Sequence, residues 1–379
     1  MFGEWSSISD QEWNKLFIKI REKSSGYEDD HKFATSISNL DQNVEKNRYL
    51  DVRPFDHCRV ILGGEAKHDY INASPINIVA VKRKYILAQG PLATTSADFW
   101  QMAFENRSQL IIMLNNIMEQ YIVKCHRYFP CKEEPVLYAV DPTSDRRFRC
   151  TLVSEVDQGD YIIREIDLAL LSSDEPEDDG SGDGEDVILE KRTITHYQYT
   201  TWPDFGCPRE TGHFLAFREE LKQSGKLECD ESSGPVIIHC SAGIGRTGTF
   251  LVIDTILASV EYGRKLIDSA EYDCDLIFQW ILYLRRFRRG LIQTSQQLRF
   301  SWQSIIDGLK DLKLPADRDQ TKENGNSVSG HISSSDCVSS SDTVASLSKK
   351  RSLPGADKEC EEVANKSSEK KRSKQCDEK

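Results

Sequence analysis

One stretch constrains this chain more than any other: residues 235–250, PVIIHCSAGIGRTGTF. Its opening apolar run is short and bounded, the pattern of a strand buried on both faces of a sheet. Cys240 comes next, then Ser241, Ala242, Gly243, Ile244 and Gly245, then Arg246, Thr247 and a helical pattern. A strand that passes through a glycine-bearing loop into a helix is an α/β unit, so the fold must cover a sheet with helices. Small side chains and two glycines let successive backbone N–H groups turn toward one point. With the helix amino terminus behind them, these donors form an anion site of phosphate size. Arg246 can clamp two phosphate oxygens with its planar fork. Cys240 lies on the floor of this positive cup, an environment that makes a thiol a thiolate nucleophile, and the Thr247 hydroxyl can donate to its sulfur. A bare Cys-x5-Arg recurs by chance in a chain this long; the strand, glycines and helix around it make it specific. Nucleotide-binding glycine loops are the rival, but the lysine of GK[ST] and the G-x-G-x-x-G spacing are both missing.

Elsewhere, β-branched or alternating runs predict strands at 58–62, 84–88, 109–114, 136–140, 147–154, 160–167, 193–199 and 235–239. Helical spacing marks 8–23 and later 211–223, 246–262, 274–288 and 294–310. We therefore expect one α/β domain over residues 5–310, a central twisted mixed sheet flanked by helices. Residues 311–379 contain no Phe, Tyr or Trp, but 14 serines and 13 basic against 13 acidic side chains. So few large apolar groups cannot offset the entropy of ordering, which predicts a disordered tail. The tail is neutral, so the formal charge of −12 belongs to the domain. Eight of its acids lie in residues 174–186, DEPEDDGSGDGED, read as an exposed loop between strands. This acidity argues against a general nucleic-acid binder. No apolar run reaches the ~18 residues of a membrane span, and no secretory signal is visible at the amino terminus. Eleven cysteines without a CxxC pair fit reduced intracellular thiols better than disulfides or a zinc site.

HCSAGIGRTG resembles the active-site loop of the class I cysteine-based protein tyrosine phosphatases. NRYLDVRPFDHCRV, DYINAS, YILAQGPL, FWQM, YTTWPDFG and GLIQTSQQLRF resemble the family's other blocks, in the same order, over about residues 10–310. The wording is nearest the non-receptor subgroup of phosphatase 1B and T-cell phosphatase. The resemblance implies the phosphatase fold and hydrolysis of phosphotyrosine through a phosphocysteine on Cys240. Arg246 and the loop from Ser241 to Gly245 would bind phosphate. Asp204 of TTWPDFG would be general acid and then base, a role that typically contributes ~10²–10⁴-fold. Trp202 and Pro203 would hinge a closing loop, and Phe205 would flank the substrate ring. Tyr49 would stack on that ring and deepen the cleft beyond the reach of phosphoserine. Asp51 would accept substrate backbone N–H groups, while Gln293, assisted by Gln297, would position water. Glu119 would pair with Arg246, and Lys124 would contact Asp204 or substrate. No metal or organic cofactor is implied, and reversible oxidation of Cys240 to a sulfenic acid is.

Four residues depart from the subgroup: Leu50 stands where close relatives carry Arg, Arg289 where they carry Met, Gln296 where they carry Asp and Ala88 where they carry Thr. With Arg21 and Arg285, Arg289 resembles a secondary phosphate pocket; Arg286 and Arg288 read equally well as a solvated basic helix end. The substrates implied are signalling proteins, both receptor and cytosolic tyrosine kinases and their effectors, met by a monomer. A catalytically dead phosphotyrosine-binding module is one alternative, though it usually lacks the Cys, Arg or acid. A dual-specificity or phosphoinositide phosphatase is the other, disfavoured by Tyr49. In the tail, KKR at 349–351 and KKRSK at 370–374 fit nuclear import receptors, which gives an address in cytoplasm and nucleus.

Overall fold

A computed structural model describes residues 8–27, 31–63, 69–140, 146–172, 186–203, 206–229, 233–264, 266 and 276–312. Asp204, Phe205, residues 173–185 of the acidic loop and the tail from 313 onward lie outside the described residues.

Ten strands are described: β1 (Ala73–Ile78), β2 (Arg83–Ala88), β3 (Leu110–Met113), β4 (Met118–Glu119), β5 (Ile122–Val123), β6 (Val136–Val140), β7 (Arg147–Asp157), β8 (Tyr161–Leu171), β9 (Ile188–Tyr199) and β10 (Val236–His239). Seven helices accompany them: α1 (Asp10–Ser25), α2 (Asp41–Val44), α3 (Ser96–Glu105), α4 (Gly212–Gln223), α5 (Gly245–Glu261), α6 (Leu276–Leu284) and α7 (Ser295–Asp311). Eight strands make one mixed sheet in the order β1-β2-β10-β3-β9-β8-β7-β6, and β4 pairs with β5 as a small hairpin. β2, β10, β3 and β9 run parallel; the remaining pairs of the large sheet are antiparallel. The domain is thus the mixed α/β sheet flanked by helices that the sequence predicts.

All four residues of β10 are buried because helices cover both faces. Alternation splits the strands between two cores. Tyr85, Leu87, Val236 and Ile238 face the helical layer that includes α5 and α7. Ile86, Ala88, Ile111 and Ile237 face α3 and the segment of Tyr128 and Phe129. Buried Asp254 fixes α5, accepting from Arg83 Nε at 2.9 Å, from Arg218 Nε at 2.9 Å and from the Tyr85 hydroxyl. Burial alone would raise that carboxyl's pKa, but the two guanidinium groups outweigh it and hold it at about 2.

Four differences from the sequence reading stand out. Residues 58–62 form no strand: only Ile61 bridges to Tyr70. The first strand is β1, whose Pro75 interrupts the sequence pattern but is tolerated on a sheet edge. α3 escapes periodicity because nine of its residues are buried, leaving no polar face to set a stripe. α6 stops at Leu284, where the chain turns and Arg285 Nε and Nη2 donate to the carbonyls of Leu291 and Ile292, both at 2.9 Å.

Candidate active site

The parallel strands aim their carboxyl ends at one crevice, the place where open α/β sheets bind ligands. β2 leads to Gln89 and Gly90, β3 to Leu114 and the hairpin carrying Glu119, β9 to Trp202 and Pro203, and β10 to Cys240.

The loop after β10 has its carbonyls fastened from behind. Ser241 O accepts from Gly90 N–H at 2.9 Å, and Ile244 O accepts from Ile292 N–H and Gly248 N–H, both at 3.1 Å. Between them, Arg288 Nη2 donates to Ala242 O at 3.1 Å and its Nε to Gly243 O at 2.8 Å. In a trans peptide C=O and N–H point oppositely, so outward carbonyls turn the following N–H groups inward. The Gly243 N–H donates to Cys240 Sγ at 3.3 Å. Gly243 itself has φ +72°, and a Cβ there would lie 2.1 Å from Ala88 O, so only glycine fits. α5 begins at Gly245 and points its amino-terminal dipole at the same spot.

Arg288 is the residue that sequence reasoning misplaced. It is fully buried, with Asn72 Oδ1 and Ser74 Oγ accepting its remaining donors at 2.9 and 3.3 Å. Burial lowers its pKa to about 10, so it stays charged at neutral pH. It is not a solvated helix end, and within the run RRFRR no local signal separates it from its neighbours.

Arg246 is held in a fork by Glu119: Nη1 to Oε1 at 2.5 Å and Nη2 to Oε2 at 2.8 Å. Its Nη1 also donates to Leu114 O at 3.1 Å and its Nη2 to Pro203 O at 3.4 Å, while Trp202 lies 5.7 Å from the guanidinium carbon. Tyr49 is joined to the loop, its hydroxyl 2.9 Å from Ser241 Oγ, which in turn donates to Lys124 O at 2.9 Å. A Cβ on Gly245 would lie 2.8 Å from Gln297 Nε2 and 3.0 Å from Gln293 Oε1, so both amides reach the loop. Thr294 caps α7 and Gln293 N–H donates to Gln297 Oε1 at 2.8 Å, which fixes that pair.

The resulting cleft, about 370 Å³, is lined by Tyr49, Asp51, Glu119, Lys124, Cys240, Ser241, Ala242, Gly245, Arg246, Gln293 and Gln297. The structure therefore brings these eleven residues named from sequence to one cleft, with Gly243, Ile244 and Thr247 in the same loop and helix start, while Asp204 and Phe205 lie outside the described residues. The Thr247 hydroxyl is buried and has no hydrogen-bond partner among the described residues. Ile244 lines an adjoining depression of about 490 Å³ together with Arg21, Arg285, Arg289, Asp51 and Gln293. Arg285 is largely committed there, its Nη1 donating to Ser24 Oγ at 2.8 Å; burial first, then nearby Arg21, lowers its pKa to about 10. A larger groove of about 940 Å³ shares Gly206, Thr294 and Gln296 with the cleft but has none of the loop's donors.

Behind the loop, His239 is fully buried, with Nε2 2.7 Å from the Tyr128 hydroxyl and Nδ1 3.2 Å from Cys240 O. Burial pushes its pKa down to about 4, so the ring is neutral. Burial also pushes the thiols of Cys58, Cys125 and Cys207 up to about 12, which keeps them protonated.

A family model described as protein-tyrosine phosphatase matches residues 43–307. The chain is 38% identical over 301 residues to the tyrosine-protein phosphatase non-receptor type 2 of Homo sapiens, covering 79% of this chain and 63% of that one. The Mus musculus protein of the same name is 37% identical, covering 79% and 65%. Tyrosine-protein phosphatase non-receptor type 61F of Drosophila melanogaster is 35% identical, covering 80% and 50%. The chain thus spans about 63% of the length of the first of these relatives.

Proposed function

The chain belongs to the protein-tyrosine phosphatase family, in its class I non-receptor branch with the T-cell phosphatase subgroup, and we propose that it hydrolyses phosphotyrosine in signalling proteins. The observation that carries this reading is the loop whose carbonyls are fastened outward over Cys240. It leaves inward N–H groups and the Arg246 fork to bind a phosphate dianion without reorganisation.

In the first step the Cys240 thiolate attacks phosphorus. The P–O bond to tyrosine breaks as Asp204 gives its proton to the leaving oxygen. In the second, water attacks the phosphocysteine, Asp204 takes the water's proton, and the P–S bond returns its electron pair to Cys240. Gln293 and Gln297 orient that water, and the buried Thr247 hydroxyl donates to the departing sulfur. Pro203 O, already hydrogen-bonded to Arg246, ties the segment bearing Asp204 to the arginine that meets phosphate. Tyr49 walls the ring, Phe205 flanks it, Asp51 accepts the peptide's N–H groups, and Lys124 contacts Asp204 or substrate. Arg21 and Arg289 offer a second phosphate position beside the first, with Arg285 adding charge from behind while its donors hold Ser24, Leu291 and Ile292. The receptor and cytosolic tyrosine kinases with their effectors are the substrates that fit, and the tail's basic clusters fit nuclear import, tested by fusing residues 311–379 to a fluorescent reporter.

The deciding assay is turnover of a phosphotyrosine peptide beside phosphothreonine and phosphoinositide substrates. We expect only the first to be hydrolysed, with kcat falling about 10⁴–10⁶-fold in Cys240→Ser. Turnover surviving that substitution, or comparable rates on all three, would overturn the reading.

A further inference from the structure

The hairpin that supplies Glu119 to Arg246 closes on a two-residue turn, Gln120 and Tyr121, between the pairs Met118–Val123 and Glu119–Ile122. Both turn residues have positive φ, 49° and 63°, the geometry of a type I′ turn, which favours Asn-Gly. A bulky aromatic residue held there is strained, and strain of this kind collects at binding sites. Tyr121 gains no packing in return, since it is 98% exposed. Met118, Ile122 and Val123 around it are each more than half exposed. Single exposed apolar residues are ordinary; four on one short hairpin beside a cleft are not.

A fifth apolar residue joins this group. Leu50, next to the ring-wall Tyr49, is 70% exposed. Arg48 links the two segments, donating to Gly90 O at 3.0 Å, to Pro91 O at 2.6 Å and to Val123 O at 3.4 Å. The charges flanking the hairpin tip belong to the cleft: Glu119 is buried against Arg246, and Lys124 lines the pocket. No cation stands at residues 120–123 or at position 50, and Arg48, the one between them, has its guanidinium donors turned to the carbonyls of Gly90, Pro91 and Val123.

We infer that Leu50 and the 118–123 hairpin form an apolar recognition rim for substrate, taking apolar side chains that flank phosphotyrosine in a protein segment. The rim is continuous with the cleft: Tyr49 and Lys124 bound the opening, and Leu50 and Val123 are their neighbours in sequence. The inference deepens the phosphotyrosine reading and rests on it for the anchor of the bound segment.

The test uses two phosphotyrosine peptides, one flanked by Leu and Ile and one by Asp and Glu. Binding to the full-length Cys240→Ser protein is followed by fluorescence anisotropy, and wild-type turnover is measured on both peptides and on p-nitrophenyl phosphate. We expect the apolar peptide to bind about tenfold more tightly and to show a matching advantage in kcat/KM, the scale of covering one or two apolar side chains. Leu50→Arg and Tyr121→Gly together should erase that preference and leave p-nitrophenyl phosphate turnover unchanged. Equal affinities, a preference for the acidic peptide, or a preference that survives both substitutions would overturn the rim. If the binding preference holds but the wild type turns over none of the three substrates, the phosphatase reading fails and the rim stands.

Discussion

At the floor of the cleft, every carbonyl from Ser241 to Ile244 has a donor behind it, and Gly243 leaves no room for even a methyl group. At the mouth, 98%-exposed Tyr121 stands in a left-handed turn. A floor fastened in this way suits the proposed phosphate binding, which demands donors fixed before the anion arrives. The mouth leaves its apolar surface to whatever approaches. One site thus combines a fixed floor on β10–α5 with an open tip on the β4–β5 hairpin, whose base still holds Arg246 through Glu119.

The sharpest way to break this contrast is at Gly243. Gly243→Ala must move Ala88 or the loop, since its Cβ would sit 2.1 Å from a backbone oxygen at a φ of +72°. We expect kcat/KM to fall by at least about 10²-fold, the scale of misplacing reacting groups by an ångström; near-normal kinetics would show the floor to be pliant. Next comes Arg288→Met, which keeps the volume but frees the carbonyls of Ala242 and Gly243. Leaving them unpaired should cost about 2–5 kcal/mol in urea unfolding and lower kcat more than it raises KM. A stability loss with intact kcat would make Arg288 a packing residue only.

The pH dependence of stability probes the layer beneath the floor. His239 titrates at about 4 in the fold, below its ordinary 6.5, because burial disfavours the charged ring. The unfolded chain therefore takes up this proton first as pH falls. Stability is complete above about 6.5 and is lost progressively down to about 4, by about 3 kcal/mol for this group. His196, also buried and shifted the same way, adds to the slope. Urea midpoints across that window should flatten partly in His239→Gln. The smallest effect belongs to the rim. Tyr121→Gly relieves the left-handed strain but gains unfolded-state entropy, so the stability change should stay below about 1 kcal/mol.

What the sequence discloses follows the same division. β10, the loop and α5 are legible because strand, glycines and helix must occur consecutively for the chemistry to work. α7 lies one residue from its expected span, since Thr294 caps it and its apolar stripe is regular. Arg288 was not legible: five residues, RRFRR, contain one guanidinium bound to the loop and one bound to Leu291 and Ile292, and no spacing rule tells them apart. α3 was hidden by the burial of nine of its ten residues, and β1 by Pro75. Tyr121 is plain in the sequence as a residue, but its strain exists only in the φ of the folded turn.

The strand order carries a consequence for synthesis. β10 lies between β2 and β3, yet more than 120 residues separate it from Met113 in the chain. As the polypeptide leaves the ribosome, β2 and β3 emerge long before the strand that joins them, and each waits with an unpaired edge. The centre of the sheet is therefore its last part to be made, and a growing chain acquires Cys240 only at the moment it can finally close.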